Sequence, residues 1–293
     1  MNGVLVVDKP SGPTSFDVVR RVRTLTGTKK VGHTGTLDPL ATGVLAICLG
    51  DATRVAGYIT EGDKAYDAVV RLGQETDTLD AAGKVLAESP VPPLNAVLLE
   101  AALSKFRGEQ LQTPPMYSAV KVAGRRLYEL ARAGEEVPRE PRKVTVYELT
   151  LRDFSANELT LSVKSSKGFF VRSLAQDLGR ELGCGAHLKA LRRTASGPFT
   201  LAQAIGLDKL ILAIESGPEG LAQVEARLVP VEQALAELPA VSVSESEADK
   251  VAHGVPVETA VTAPLVRVLG PDGRLLAIAA VERGRLKYRR VLV

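Results

Sequence analysis

The 293-residue chain contains no tryptophan, two methionines, two cysteines and three histidines, and aromatic residues make up only 4% of it. His33, His187 and His253 are the whole histidine complement, which argues against a histidine-based metal centre. Cys184 and His187 supply at most half a zinc site, with no second pair at a usable spacing. Cys48 and Cys184 lie outside any Cys-x-x-Cys motif and read as reduced, buried thiols. No apolar run approaches the roughly 20 residues that span a bilayer. The opening Met1-Asn2-Gly3-Val4-Leu5-Val6-Val7-Asp8 lacks the basic segment and cleavage site of an export signal, so a cytoplasmic location is expected. Also missing are a Gly-x-x-x-x-Gly-Lys-Ser/Thr loop, a Gly-x-Gly-x-x-Gly turn after a strand and a Gly-x-Ser-x-Gly elbow. Hydrolase, kinase and redox chemistry therefore lack their parts. What remains is a carboxylate, an arginine and a tyrosine.

Hydrophobic residues, at 45%, suffice for a sizeable core, and the length suggests two domains. The net charge of +3 is mild but unevenly spread. Residues 164–193 carry seven cations (Lys164, Lys167, Arg172, Arg180, Lys189, Arg192, Arg193) against Asp177 and Glu181. Residues 201–250 hold nine acids against three bases, and five cations fall within the eight residues 283–290. Such segregation in a chain of isoelectric point near 8.8 points to a polyanion such as nucleic acid.

Val4 to Val7 reads as a buried strand, and Thr14 with Asp17 three residues on forms a capping-box variant opening a helix. Phe16, Val19, Val22 and Thr26 then recur at helical spacing up to Gly27. Strands are expected at Val44 to Leu49, Tyr66 to Leu72 and Asn157 to Lys164. Helices are expected around 95–106 and, through the stripe Val171, Leu174, Ala175, Leu178 and Leu182, up to Gly183. Residues 116–143 look like an exposed arm. After an acidic, helical 201–236 region, Leu238-Pro239 is a plausible junction to a hairpin, 265–269 and 275–281 around Pro271-Asp272-Gly273-Arg274, with a basic tail. At about 55 residues this module lies within the range that folds alone. The irregular interleaving predicts an α+β fold with a mixed, largely antiparallel sheet flanked by helices.

The most informative stretch is Gly32-His33-Thr34-Gly35-Thr36-Leu37-Asp38-Pro39-Leu40-Ala41-Thr42-Gly43. Small and hydroxylated residues before Asp38 let backbone approach a ligand closely. Pro39 drives Asp38 away from helical geometry. A lone, rigidly held aspartate suits a nucleophile or acid–base group, although a phosphate cradle or a structural Asp-Pro turn fits the same residues.

Four segments taken together are more specific: Asp8-Lys9-Pro10-Ser11-Gly12-Pro13-Thr14-Ser15, the loop 32–43, Tyr66 through Thr76-Asp77-Thr78-Leu79-Asp80, and Gly168-Phe169-Phe170-Val171-Arg172-Ser173-Leu174. Their order and spacing, with Pro114-Pro115-Met116-Tyr117-Ser118-Ala119-Val120-Lys121 between, resemble the bacterial tRNA pseudouridine synthase family that modifies uridine 55 of the T loop (TruB). The resemblance covers residues 1–235, and the C-terminal module resembles a PUA RNA-binding domain. It implies a catalytic domain over 1–236, with the 116–143 arm touching RNA, and a small β-barrel-like PUA domain over 237–293. It further implies an isomerisation at a flipped-out uridine, needing no cofactor and no metal, with tRNA as partner; a monomer is expected because the sequence has no obvious apolar interface stripe. By position, Asp38 is the implied nucleophile, Arg172 its ion-pair partner and Tyr66 the ring stacked on the target base. His33 would contact the T loop, Asp80 would join the polar network, Leu191 would line the uracil pocket, and Lys9 with Pro10 would support the site. Phe170 departs from the usual tyrosine, keeping a flat wall and losing a hydroxyl. The cations of 121–143 and 164–193 would meet phosphates. Two rival readings are a guide-RNA-dependent synthase and an RNA-binding or folding factor with secondary catalysis.

Overall fold

The computed structural model describes residues 1–292. Its centre is a ten-stranded mixed sheet. In spatial order the main path runs Ile205–Gly206, Gly3–Lys9, Thr42–Leu49, Ala186–Ser196, Lys64–Leu72, Glu158–Ser165, Arg142–Phe154 and Gly108–Gln112. Neighbours along it are antiparallel except two parallel pairs, Gly3–Lys9 with Ile205–Gly206 and Thr42–Leu49 with Ala186–Ser196. The expected α+β architecture is therefore present.

Period-two geometry explains why the first strands look continuously apolar. Leu5 and Val7, with Leu45, Ile47 and Leu49, face one core, while Val4 and Val6, with Val44, Ala46 and Cys48, face another. The first core is covered by the helices Ser15–Thr26, Ala96–Ser104 and Val171–Glu181, through Val18, Val19, Val22, Leu99, Leu103, Leu174 and Leu178. The capping box forms as expected: Thr14 Oγ1 accepts from Asp17 N, and the Asp17 carboxylate accepts from Thr14 N. Phe16 does not join the stripe and is 60% exposed, while Ser15 and Val18 take the buried positions. Gly179 allows the helix Val171–Glu181 to lie on the chain behind it, since a Cβ there would come within 2.2 Å of Ala186 N.

The C-terminal module is a four-stranded sheet, ordered Ala240–Ser242, Leu265–Leu269, Leu275–Glu282, Arg285–Val291, over a small core of its own around Val251, Val266, Val268 and Leu286. The strand Leu275–Glu282 is buried on both faces. Ala277 and Ala279 point into that small core, whereas Leu275 and Ile278 join Val4, Val6, Phe199 and Val231 in the second core of the main sheet. The C-terminal module thus shares an apolar layer with the main sheet. The expected basic tail is instead a strand, in which Arg285 pairs with Glu258 while Lys287 and Arg289 pair with Glu282.

The basic stretch 164–193 is likewise not one open face. Lys164 pairs with Glu148, Lys167 with Glu61, Arg180 with Asp177, Lys189 with Glu158 and Arg192 with Asp8. Arg172 and Arg193 are buried. Alternation along the strand Ala186–Ser196 and the helix sends these cations to different sides. Among the described residues, no helix is long and apolar enough to cross a membrane.

Candidate active site

The loop 34–41 is anchored from five directions. Thr34 N donates to Ala46 O, and Ala41 N closes the Asp38-Pro39 turn on Asp38 O at 3.0 Å. Ser15 Oγ donates to Leu37 O and accepts from Leu37 N at 2.7 Å. Gly12 N and Lys9 Nζ both donate to Pro39 O. Arg193 donates to Gly35 O and Thr36 O. Ser15, Gly12 and Arg193 were not expected here, because hydrogen bonds to backbone leave no mark on sequence spacing.

Within this frame, Arg172 Nε lies 3.0 Å from Asp38 Oδ2, joining two positions 134 residues apart in the chain. The guanidinium is 5% exposed, and its two terminal nitrogens are also engaged, one donating to Thr78 O at 3.0 Å and one to Tyr117 O at 2.7 Å. Its remaining neighbour is Asp80, 3.7 Å away. Asp80 is itself held by Thr78 Oγ1 and Ala82 N, beside Leu79 in the left-handed region at φ 63°. Such a conformation in a branched residue costs about 1–3 kcal/mol and persists because neighbours enforce it. Here the bonds Leu188 N to Leu79 O and Ala81 N to Leu188 O do so. Arg172 thus projects inward from its helix, not from a solvated side.

Asp38 keeps 36% of its side chain open to solvent while protein surrounds the rest. Burial raises its carboxyl above the ordinary range; Arg172 opposes that rise, Asp80 adds to it and Lys9 opposes it weakly. Desolvation outweighs the ion pair, so Arg172 limits the rise without reversing it.

Tyr66 sits on the strand Lys64–Leu72, paired with Arg193 on one side and Val163 on the other. Burial raises its phenol, and the Arg193 charge pulls the other way. Leu191, nearly buried, lies on the adjacent strand opposite Ala68. Phe170 precedes the Arg172 helix with its backbone clamped by Gln112, which accepts from Phe170 N at 2.7 Å and donates to Phe170 O at 3.1 Å. Gln112 is a further residue that spacing did not reveal. His33 ends the strand Val31–His33, where Gly35 N donates to Nδ1 and leaves Nε2 to carry the proton. Burial, then Arg193, lowers its pKa, so the ring is neutral near pH 7. Lys9 is fully buried and donates to Pro10, Pro13 and Pro39 carbonyls, which makes it a brace for the loop. Burial brings its ammonium down to about 8.

The arm folds as the hairpin Lys121–Val122 with Arg125–Arg126 and the helix Leu127–Arg132, seated through Leu127 and Leu130. The exposed Arg126 and Arg132 lie over the half-buried Tyr128 ring at 5.9 and 5.7 Å, a cluster of charge on an aromatic face. Among the described residues, no three His, Cys, Asp or Glu side chains are grouped to hold a metal ion.

Comparison with known proteins places the chain in a family. The model of the TruB family pseudouridylate synthase N-terminal domain matches residues 23–171. The tRNA pseudouridylate synthase B C-terminal domain matches 172–236, and the tRNA pseudouridine synthase II C-terminal region matches 238–293. The protein named tRNA pseudouridine synthase B from Pseudomonas aeruginosa (strain UCBPP-PA14) is 48% identical over 297 aligned positions, covering 100% of this chain and 96% of that protein. Its namesake from Stutzerimonas stutzeri (strain A1501) is 46% identical with the same coverage. A Cbf5-Nop10-Gar1 complex superposes with a TM-score of 0.78 at 27% identity, covering 99% of this chain and 85% of that one. An archaeal box H/ACA Nop10-Cbf5 complex gives 0.76 at 25% identity, covering 100% and 86%. With more than half of the chain inside one family model and full-length relatives near half identical, the chain belongs to the TruB family of pseudouridine synthases.

Proposed function

We propose that the protein converts uridine 55 in the T loop of tRNA to pseudouridine, with Asp38 as nucleophile toward a nucleotide turned out of its stack. The observation that carries this reading is the Asp38 carboxylate, open to solvent on one side and fastened by Arg172 Nε at 3.0 Å on the other. The relatives named tRNA pseudouridine synthase B support the substrate class. The N1–C1′ bond breaks, the base turns, and the C5–C1′ bond forms; C5 loses a proton, N1 gains one, and no atom is added overall. A stacked uridine cannot reach Asp38, so the base leaves the loop at an expense of a few kcal/mol. Burial keeps Tyr66 protonated, and it serves as a neutral ring against the base, with Leu191 as the facing apolar wall. Phe170 supplies a further flat surface. His33 contacts the T loop as a neutral donor through Nε2. Phosphates are met by the arm, where Arg126, Tyr128 and Arg132 cluster, and the loop is read mainly by shape. The PUA-like C-terminal module extends contact to another part of the tRNA.

The test is tritium release from uracil-C5-labelled, unmodified tRNA transcript by the wild type and by Asp38→Asn. Release by the wild type alone, at one position per tRNA, is expected. Binding without release by either protein would instead assign a binding or folding role. Release that required an added guide RNA would assign the guide-dependent reading that the Cbf5 likeness offers.

A further inference from the structure

Arg193 is absent from the chemistry above, yet it lies at the centre of the site. It is 2% exposed, and among the described residues it has no carboxylate within 4.0 Å. A buried arginine without a counter-anion is expensive unless its donors are satisfied. Here they are satisfied by backbone: Nε donates to Val44 O at 2.7 Å, and the two terminal nitrogens donate to Thr36 O at 3.4 Å and Gly35 O at 3.1 Å. One planar group therefore ties the segment before Asp38 to the strand that leaves the loop. Arg193 is also the cross-strand partner of Tyr66, so the same residue borders the Asp38 loop and the proposed aromatic wall of the cleft. Its backbone is fixed in turn by Gly43, at φ 101°, where a Cβ would stand 2.2 Å from Arg193 O. Beyond burial, which dominates at each group, the Arg193 charge depresses His33 and Lys64 and opposes the rise at Tyr66. These groups sit on two different strands, Val31–His33 and Lys64–Leu72, with Arg193 on a third.

We propose that Arg193 is a positioning residue for pseudouridine formation: it holds the Gly35-Thr36 segment, and through it Asp38, at a set distance from Tyr66. Lysine in its place keeps the charge but cannot span three carbonyls in one plane. The proposal rests on the catalytic reading above, so it is scored only against a wild type that releases tritium; a wild type without release would sink that reading instead.

The experiment compares Arg193→Lys and Arg193→Met with the wild type on full-length tRNA. Circular dichroism first establishes folding, and then single-turnover rate and tRNA Kd are measured. Expected for Arg193→Lys is a 10- to 100-fold slower rate with Kd within three-fold, and a larger rate loss for Arg193→Met. A double-mutant cycle with Tyr66→Phe is expected to give a combined loss smaller than the product of the two single losses. An unchanged rate, a Kd loss that accounts for the rate loss, or multiplicative losses in the cycle would overturn the proposal. Failure of both variants to reach the wild-type fold would also overturn it, assigning Arg193 to stability alone.

Discussion

Ser15→Ala offers a sharp test of how the loop bearing Asp38 is held. The Ser15 hydroxyl is buried at 2% exposure and binds both backbone groups of Leu37, the residue before Asp38, across 22 positions of sequence. Alanine removes one oxygen and leaves a buried N–H and a buried C=O without partners. Each such orphan costs about 1–3 kcal/mol. Partial relaxation of the loop brings the pair to about 2–4 kcal/mol of lost stability. Relaxation has its own effect, since a loop that moves to hydrate Leu37 carries Asp38 with it. A displacement near 1 Å lowers turnover by about 100-fold in well-oriented sites, so a 10- to 100-fold slower single-turnover rate is expected. Affinity for tRNA should change little, because Ser15 lies beneath the loop. Urea denaturation at constant slope gives the stability term, and rapid quench on labelled transcript gives the rate. A loss under about 0.5 kcal/mol, the range of ordinary surface changes, together with an unchanged rate would refute the idea that Ser15 holds the loop.

Two further outcomes follow from the geometry. Because burial and Asp80 raise the Asp38 carboxyl while Arg172 lowers it, the acid limb of the rate–pH profile should lie above the ordinary carboxylate range. Asp80→Asn should move that limb to lower pH and Arg172→Ala to higher pH; movement in the reverse directions would refute the assignment. A folded pKa above the unfolded one also means that stability falls as pH climbs through the interval between them, so the melting advantage of Asp38→Asn should grow across that interval. In the C-terminal module, Ile278→Ala removes a fully buried side chain from the layer shared with the main sheet and should cost about 2–5 kcal/mol. Calorimetry should show one transition moved down as a whole, and a separate early transition would show that the module melts alone.

How much of this was legible depended on whether the information was local. The Thr14–Asp17 cap, the helix near 95–106 and the hairpin after 265 are written in short spacings, and the structure has them. Phe16 fitted the helical period but not the core, since periodicity gives a face and not what covers it. The strands Arg142–Phe154 and Ala186–Ser196 were hidden by charges: Arg142 and Lys143 stay exposed, Arg192 meets Asp8, and Arg193 finds carbonyls inside. Counting cations along 164–193 could not show that Arg192 meets Asp8 from 184 residues away. The pairing of Asp38 with Arg172 came from motif resemblance alone; no propensity joins positions so distant. Gln112, Ser15 and Arg193 act on main-chain atoms, which any sequence supplies, and so they left no pattern to find.

Leu275 and Ile278 root the small sheet in the same apolar floor that carries the strand ending at Lys9. A tether would let the two halves of the molecule find a bound partner independently, but a common floor fixes the span between them. Any ligand that engages both ends must match that span, and selection by reach is then built into the packing itself.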